Sequence, residues 1–179
     1  MSNVKASTYK VMSEDGRIQP FYTINPFIIF QMTPTLNIDK DLLDQHYFAF
    51  QRMLHPDKLR HISDELQRRA EQHIGQINQA YKALKNVLQI AKATVLYIQD
   101  PSKGIESFND HDIPMLDVEF LNTIMTLQNQ SSQKDADELY YKVIAELDVA
   151  IQELNLQTLL NAIARLTYIE RLRNLTQGN

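Results

Sequence analysis

The side chains best suited to chemistry or recognition are His55 and Asp57, which flank Pro56 in the tripeptide His55-Pro56-Asp57. Proline fixes one backbone angle and lacks an N–H group, so we expect a stiff turn from which both flanking side chains point outward reproducibly. An aspartate offers a charged hydrogen-bond acceptor to an arginine, and an imidazole can donate a hydrogen bond or stack. The tripeptide is therefore a candidate recognition site.

Three other interpretations of the tripeptide stay open, although the rest of the sequence gives them little support. It could be only a turn that ends a helix, because Pro and Asp are common there. A catalytic His–Asp pair would need a Ser, Cys or Thr nucleophile at a strand-to-helix elbow, and none is recognisable. A metal site would need a ligand pattern that the five histidines do not form: His46, His55, His61, His73 and His111. We therefore expect no catalytic residue, no metal and no cofactor.

The composition favours a helical protein and excludes cysteine chemistry. The chain has 179 residues, of which 44% are hydrophobic and only 4 are glycine. It has no cysteine, so disulfides, zinc–thiolate sites and iron–sulfur ligation by cysteine are excluded. No apolar run reaches the length of about 18 residues that a membrane helix needs. The sequence pI of about 5.7, without alternating basic and aromatic residues, argues against nucleic-acid binding.

The pattern before the tripeptide predicts two helices. Asn25 followed by Pro26 is a helix start, and the helix should be short because Thr33-Pro34 stops it. The second helix begins near Asp39 and ends before Pro56. It buries one face, because its apolar residues recur at steps of four, three and four: Leu43, Tyr47, Phe50 and Leu54.

A third helix starts at Ser63, and its apolar stripe continues to Leu88. It forms an antiparallel hairpin with the second helix, which leaves residues 56–62 as a polar loop at the tip. The apolar run from Val87 to Ile98 continues or follows this helix.

The second half of the chain predicts a linker and a bundle of three helices. Residues 99–111 contain Pro101 and Gly104 among polar neighbours, which is typical of a linker. Amphipathic patterns then cover about 114–130, 133–154 and 156–175. Short connections between amphipathic helices indicate an up-down-up bundle, so the fold class is all-α.

The short helix, the hairpin and the tip sequence His55-Pro56-Asp57-Lys58 together resemble the J-domain family. The resemblance implies that the tip docks on a DnaK-type chaperone, where the nucleotide-binding domain meets the interdomain linker. The chaperone itself would hydrolyse ATP. The J-domain would shift the conformational population of the chaperone toward the hydrolysis-competent state. Arg52, Lys58 and Arg60 would steer this docking on an acidic face of the chaperone.

Further segments look like the HscB family, the J-proteins of iron–sulfur cluster biogenesis that are called Jac or Hsc20-type in eukaryotes. The match runs from about Ile24 to the end and rests on several short segments: Phe27-Ile28-Ile29-Phe30, Gln51-Arg52, Ile77-Asn78-Gln79-Ala80-Tyr81 with Leu84, and Phe120-Leu121. The chain departs from the family at Val87, where a proline is usual, and in its N-terminal extension. The resemblance implies an elongated or L-shaped molecule with an extension (1–23), a J-domain (24–98), a linker (99–111) and a C-terminal bundle (112–179).

The resemblance implies that the bundle binds the iron–sulfur scaffold protein IscU through an apolar patch with an acidic rim. The matching apolar residues are Leu121, Met125 and Tyr168. Leu121 and Met125 are i,i+4 neighbours, hence one ridge, and lie off the stripe that should face the core. Alternatively, they only widen that core face. The acidic rim is thin, because polar neutral residues stand where the family often has Met and Glu: Asn122, Thr126 and Asn129.

The implied function is that of a co-chaperone, not an enzyme, that delivers IscU to an HscA- or DnaK-type chaperone and so promotes cluster assembly and transfer. Two alternatives stay open: a general J-protein that presents unfolded clients, and a non-catalytic helical adaptor. The N-terminus lacks a signal-peptide core and is not of the Arg-rich, acid-poor transit type, so we expect a loosely ordered extension. We expect a bacterial cytoplasmic location, rather than the mitochondrial matrix, and neither membrane nor nucleic-acid partners.

Overall fold

The computed structural model describes residues 10–13, 17–130 and 133–177, and the statements on structure concern this part of the chain. About 70% of the chain is helical, and the described residues contain no β-strand beyond one isolated bridge. The predicted all-α fold class is therefore confirmed. The chain divides into two compact units, the first ending at Phe108 and the second beginning at Asn109.

The first unit is built around a short buried helix, α1 (Pro26–Ile29). The Asn25 side chain caps it by accepting a hydrogen bond from Phe27 N at 3.0 Å. The same buried side chain donates to the backbone carbonyl of Ala93 at 2.8 Å, which links α1 to the fifth helix. One polar residue thus satisfies its own hydrogen bonds inside the core and fixes two helices relative to each other.

The predicted hairpin consists of α2 (Lys40–Met53) and α4 (Asp64–Ala83). The rings of Tyr47 and Tyr81 stack across it with their centroids 4.0 Å apart. Asn78 Oδ1 accepts hydrogen bonds from Tyr47 Oη and from Gln51 Nε2, both at 3.0 Å. These contacts hold the two helices in one register.

The apolar run after α4 forms a separate helix, α5 (Val87–Gln99), because Asn86 caps a new start by accepting from Gln89 N at 3.0 Å. Part of the predicted linker packs against the first unit. The Pro101 carbonyl accepts from Asn25 N at 3.2 Å, and the Lys92 ammonium lies 4.9 Å from the centroid of the Phe108 ring. One 3₁₀ turn, Ile105–Ser107, lies in this part of the first unit, and another, Asp110–Asp112, lies in the second unit.

The expectation of a loosely ordered N-terminal extension is wrong for its described residues, 10–13 and 17–23. Met12 and Ile18 form an antiparallel bridge, and Ile18 is buried. The Gln19 carbonyl lies 3.1 Å from His73 Nε2 on α4, and the Phe21 ring meets the His73 ring edge-on. Apolar burial and a buried polar contact therefore attach this segment to the hairpin; residues 1–9 and 14–16 lie outside the described part.

The second unit contains α6 (Val118–Gln130), α7 (Gln133–Gln152) and α8 (Leu156–Gln177). α6 begins four residues later than the predicted start at Pro114, because Asp117 Oδ1 caps it by accepting from Phe120 N at 2.7 Å. The Arg165 guanidinium joins the three helices of this unit. It contacts Glu146 Oε2 at 2.9 Å and Asp117 Oδ2 at 3.3 Å.

The turn between α7 and α8 holds Leu154 in a left-handed conformation, with φ of 50°. The Asn155 N–H donates to the Ala150 carbonyl at 3.0 Å and the Leu154 N–H donates to the Ile151 carbonyl at 3.1 Å. This is the Schellman pattern, in which glycine is favoured at the left-handed position because it has no Cβ. Leu154 is also half-exposed, so little packing offsets the strain.

We expect Leu154→Gly to raise the free energy of unfolding by about 1 kcal/mol, because it removes the left-handed strain of a leucine. Urea denaturation followed by circular dichroism measures the change. Gln152→Gly is the control, because it places a glycine at the last residue of α7 and should destabilise by up to about 1 kcal/mol. Destabilisation by both variants would contradict the assignment of strain to Leu154.

We expect His73 to make the stability of the first unit depend on pH. Burial lowers the pKa of its imidazole, and the hydrogen bond with Gln19 opposes this effect only in part. Because the unfolded chain has the ordinary histidine pKa of about 6.5, protons bind the unfolded state more readily. The free energy of unfolding should therefore have its full value above about pH 6.5 and fall as the pH drops below it.

Urea denaturation at about pH 7.5 and pH 5.5 tests this expectation. His73→Gln should flatten the dependence of the free energy of unfolding on pH. The control His111→Gln, which changes an exposed histidine, should retain that dependence.

Candidate functional site

The first part of the polar loop that the sequence predicts for residues 56–62 is a turn of helix. Residues Pro56–Leu59 form the short helix α3, with His55 at its N-cap. His55 Nδ1 accepts a hydrogen bond from Asp57 N at 3.3 Å. Pro56 occupies the first helical position, where no N–H group is needed. A capping side chain and a following proline are sufficient to start a helix here, even one of a single turn.

The capping hydrogen bond determines which nitrogen of His55 can bind another molecule. Because Nδ1 accepts from a backbone N–H, it carries no proton, and the neutral ring has its proton on Nε2. The side chain is 57% exposed. Its Nε2–H group can therefore donate a hydrogen bond outward while Nδ1 holds the turn.

The Asp57 carboxylate is exposed and has exchangeable partners within the tip. Its Oδ1 lies 2.6 Å from a guanidinium nitrogen of Arg60, and Oδ2 lies 3.6 Å from His55 Nδ1. The Asp57 and Arg60 side chains are 61% and 72% exposed. Ion pairs this exposed contribute little free energy, because water competes for both charges. Asp57 can thus exchange Arg60 for an arginine of a partner at small cost.

A buried residue before the tip and a capped helix start after it set its position. Leu54 precedes His55, is buried, and donates its backbone N–H to the Phe50 carbonyl at 2.9 Å. On the other side, the Ser63 hydroxyl caps α4 by accepting from Leu66 N at 3.5 Å. The tip is therefore an exposed polar turn between two anchored helix ends.

The predicted chaperone-binding residues lie close together in sequence and structure. Five of them lie at or next to α3: His55, Pro56, Asp57, Lys58 and Arg60. Arg52 lies in the last turn of α2, just before the tip, and is exposed. Arg17 lines the same cleft as Lys58 although the two are far apart in the chain, and no local sequence pattern indicates this.

The predicted scaffold-binding residues lie on α6 and α8, two helices that pack against each other. Met125 is 60% exposed and Tyr168 is 41% exposed, whereas Leu121 is partly buried. The neighbouring Phe120, Ile124 and Leu127 are buried as the core stripe of α6. The three neutral rim positions named above are exposed.

Across residues 10–13, 17–130 and 133–177, no group of three or more His, Asp or Glu side chains is arranged to hold a metal ion. In the same part of the chain, no helix combines the length and the apolar character required to cross a bilayer.

No family model matches the chain, but individual proteins do. It is 30% identical over 124 residues to a co-chaperone protein HscB homolog of Shewanella frigidimarina, covering 65% of this chain and 68% of that protein. The homolog of Pasteurella multocida is 29% identical over 116 residues, covering 65% and 67%. The homolog of Colwellia psychrerythraea is 29% identical over 134 residues, covering 74% of each.

Two solved structures share the fold. Chaperone HscB from Vibrio cholerae superposes with a TM-score of 0.67 at 23% identity, covering 87% of this chain and 96% of that chain. Human co-chaperone protein HscB superposes with a TM-score of 0.69 at 20% identity, covering 94% and 89%. Fold and sequence similarity thus agree with the resemblance carried by the tip and the flanking segments, and they confirm it. The chain belongs to the HscB family of co-chaperones.

Proposed function

We propose that this protein stimulates ATP hydrolysis by an HscA- or DnaK-type chaperone through its tip, and that it binds an IscU-type iron–sulfur scaffold through its C-terminal helices. The observation that carries the proposal is the exposed His55-Pro56-Asp57 turn, fixed by its own cap at the end of a packed hairpin. We assign residues 24–98 to the J-domain, 99–111 to the linker and 112–179 to the scaffold-binding bundle. The extension is residues 1–23.

At the tip, Asp57 would exchange its exposed pair with Arg60 for an arginine of the chaperone. His55 would donate from Nε2 to an acceptor next to that arginine, because Nδ1 is engaged in the cap. Arg60, once released, would join Lys58 and Arg52 in facing acidic groups of the chaperone. Hydrolysis would follow in the chaperone, because binding energy at the tip favours its hydrolysis-competent state.

At the bundle, Met125 and Tyr168 would serve as apolar anchors for the scaffold, with Leu121 beside them. The chain has no cysteine, so the cluster would stay on the scaffold as cargo. Carrying both binding sites on one chain raises the effective concentration of the scaffold at the chaperone. The three relatives that match by sequence come from bacteria, which supports the bacterial cytoplasm as the place of this function.

Single-turnover ATP hydrolysis by an HscA-type chaperone tests the proposal. We expect the protein to raise the rate, and scaffold to raise it further. Asp57→Asn and His55→Gln should lower the stimulation on the order of tenfold or more, because each leaves a partner group unpaired in the complex. The matched controls Asp41→Asn and His111→Gln change exposed residues outside the tip and should stimulate like the wild type.

Stimulation that is indifferent to scaffold would instead indicate a general J-protein. Full stimulation by both tip variants would exclude the tip as the docking site, and the absence of stimulation of any DnaK-type chaperone would refute the proposal.

Titration calorimetry with the IscU-type scaffold tests the bundle. We expect Met125→Ala and Tyr168→Ala each to raise the Kd by about five- to thirtyfold, because truncated anchors typically cost 1–2 kcal/mol. The controls are Met115→Ala and Tyr141→Ala, which truncate side chains of the same types that are 96% and 67% exposed in the same unit. The neutral rim predicts a Kd that changes less than about threefold between low and physiological salt. If the control variants weaken scaffold binding as much as the anchor variants do, the assignment of Met125 and Tyr168 as anchors is contradicted.

A further inference from the structure

A cleft of about 430 Å³ lies beside the tip, between the N-terminal segment and the hairpin. One wall consists of Met12, Arg17 and Ile18. The other wall comes from the end of α2, from α3 and from the start of α4: Met53, Lys58, Leu59, Ile62 and Leu66. The cleft therefore combines a segment at the beginning of the chain with the turn that carries His55 and Asp57.

The described residues that line the cleft are mostly apolar, and the charged ones among them are basic. Met53 is 37% exposed, although it is apolar and lies at the end of a helix. Leu59, Ile62 and Leu66 are only partly buried, so they keep apolar surface open to solvent. Lys58 is exposed, and the described residues that line the cleft include no carboxylate. Such a site suits an apolar side chain that is accompanied by a negative charge.

The N-terminal wall is held in place by backbone pairing and burial. Ser13 N donates to the Arg17 carbonyl and Gln19 N donates to the Val11 carbonyl, both at 2.8 Å. Val11 and Ile18 are 2% and 5% exposed. The segment thus presents Met12 and Arg17 to the cleft from an anchored backbone.

We propose that this cleft is a second contact site for the chaperone, which receives an apolar side chain flanked by a carboxylate from the segment that docks at the tip. The inference rests on the proposed chaperone docking. Continuity supports it, because Lys58 and Leu59 belong both to α3 and to the cleft, so a partner bound at Asp57 would lie next to residues that line the cleft. Charge complementarity supports it as well, because the exposed Lys58 ammonium at the cleft matches an acidic segment.

Chaperone stimulation measured over a range of protein concentrations tests this site. Met53→Ser and Met12→Ser remove apolar surface from opposite walls, and each should raise the concentration for half-maximal stimulation by about five- to tenfold. The maximal rate should persist, because His55 and Asp57 remain. Met53→Leu should behave like the wild type. Lys58→Gln should raise the same concentration about two- to fivefold at low salt and less at high salt.

The controls are Met115→Ser and Lys103→Gln, which make the same kinds of change at exposed positions outside the cleft. Thermal unfolding verifies that each variant is folded. If the folded cleft variants match the wild type while Asp57→Asn abolishes stimulation, the cleft inference is overturned and the proposed function stands. If the wild type itself gives no stimulation, the cleft inference and the proposed function are both refuted. A dimer in sedimentation experiments that Met53→Ser dissociates would assign the cleft to a second copy and overturn the inference.

Discussion

The hydrogen bond from Asp57 N–H to His55 Nδ1 fixes the geometry on which the proposed function depends. It uses one nitrogen of the imidazole to begin α3 and leaves the other to face solvent. The two polar side chains thereby keep a constant relation although both are exposed. An exposed site cannot rely on burial for its rigidity, so it relies on a helix cap, on proline and on the anchored helix ends beside it. The buried contacts of the hairpin and of Asn25 hold the helices that carry this turn in fixed positions.

Local signals were sufficient to predict most of the helices. Asn25, Asp39 and Ser63 cap helices where the sequence indicates starts, and their side chains make the expected hydrogen bonds. The tip was predicted as a loop because proline after an amphipathic stripe indicates an end, and a single helical turn has no periodicity to detect. The late start of α6 has a similar cause. An apolar pattern before Asp117 resembles helix, but the cap at Asp117 decides the start.

The N-terminal segment could not be predicted because its contacts are long-range. Gln19 meets His73 at a separation of 54 residues, and Ile24 accepts from Gln76 at a separation of 52 residues. No short window of sequence contains both partners.

The two proposed binding sites differ in how far the sequence alone predicts them. The motif around His55 marks the tip, whereas the placement of Met125 and Tyr168 relied on resemblance, because periodicity alone does not separate a wide core face from an exposed ridge.

Polar contacts, neutral or ionic, bridge helices in both units, and in the first unit Lys85 Nζ lies 3.4 Å from Asp44 Oδ1 on α2. In the first unit, neutral polar groups such as Asn25 and Asn78 bridge helices within aromatic and aliphatic packing. In the second unit, Arg165 pairs with carboxylates on two other segments and lies 5.2 Å from the centroid of the Phe120 ring. These ionic contacts are partly exposed, so they add little net free energy. Their main contribution is to fix how the helices are placed against each other.

The most direct test of the central claim is an amide NMR titration of this protein with an ATP-bound HscA-type chaperone. The account predicts that the resonances of residues 52–60 change first and most, and that residues 10–13 and 17–18 follow at the same chaperone concentrations. Saturable changes confined to α6–α8, with the tip resonances unchanged, would contradict it.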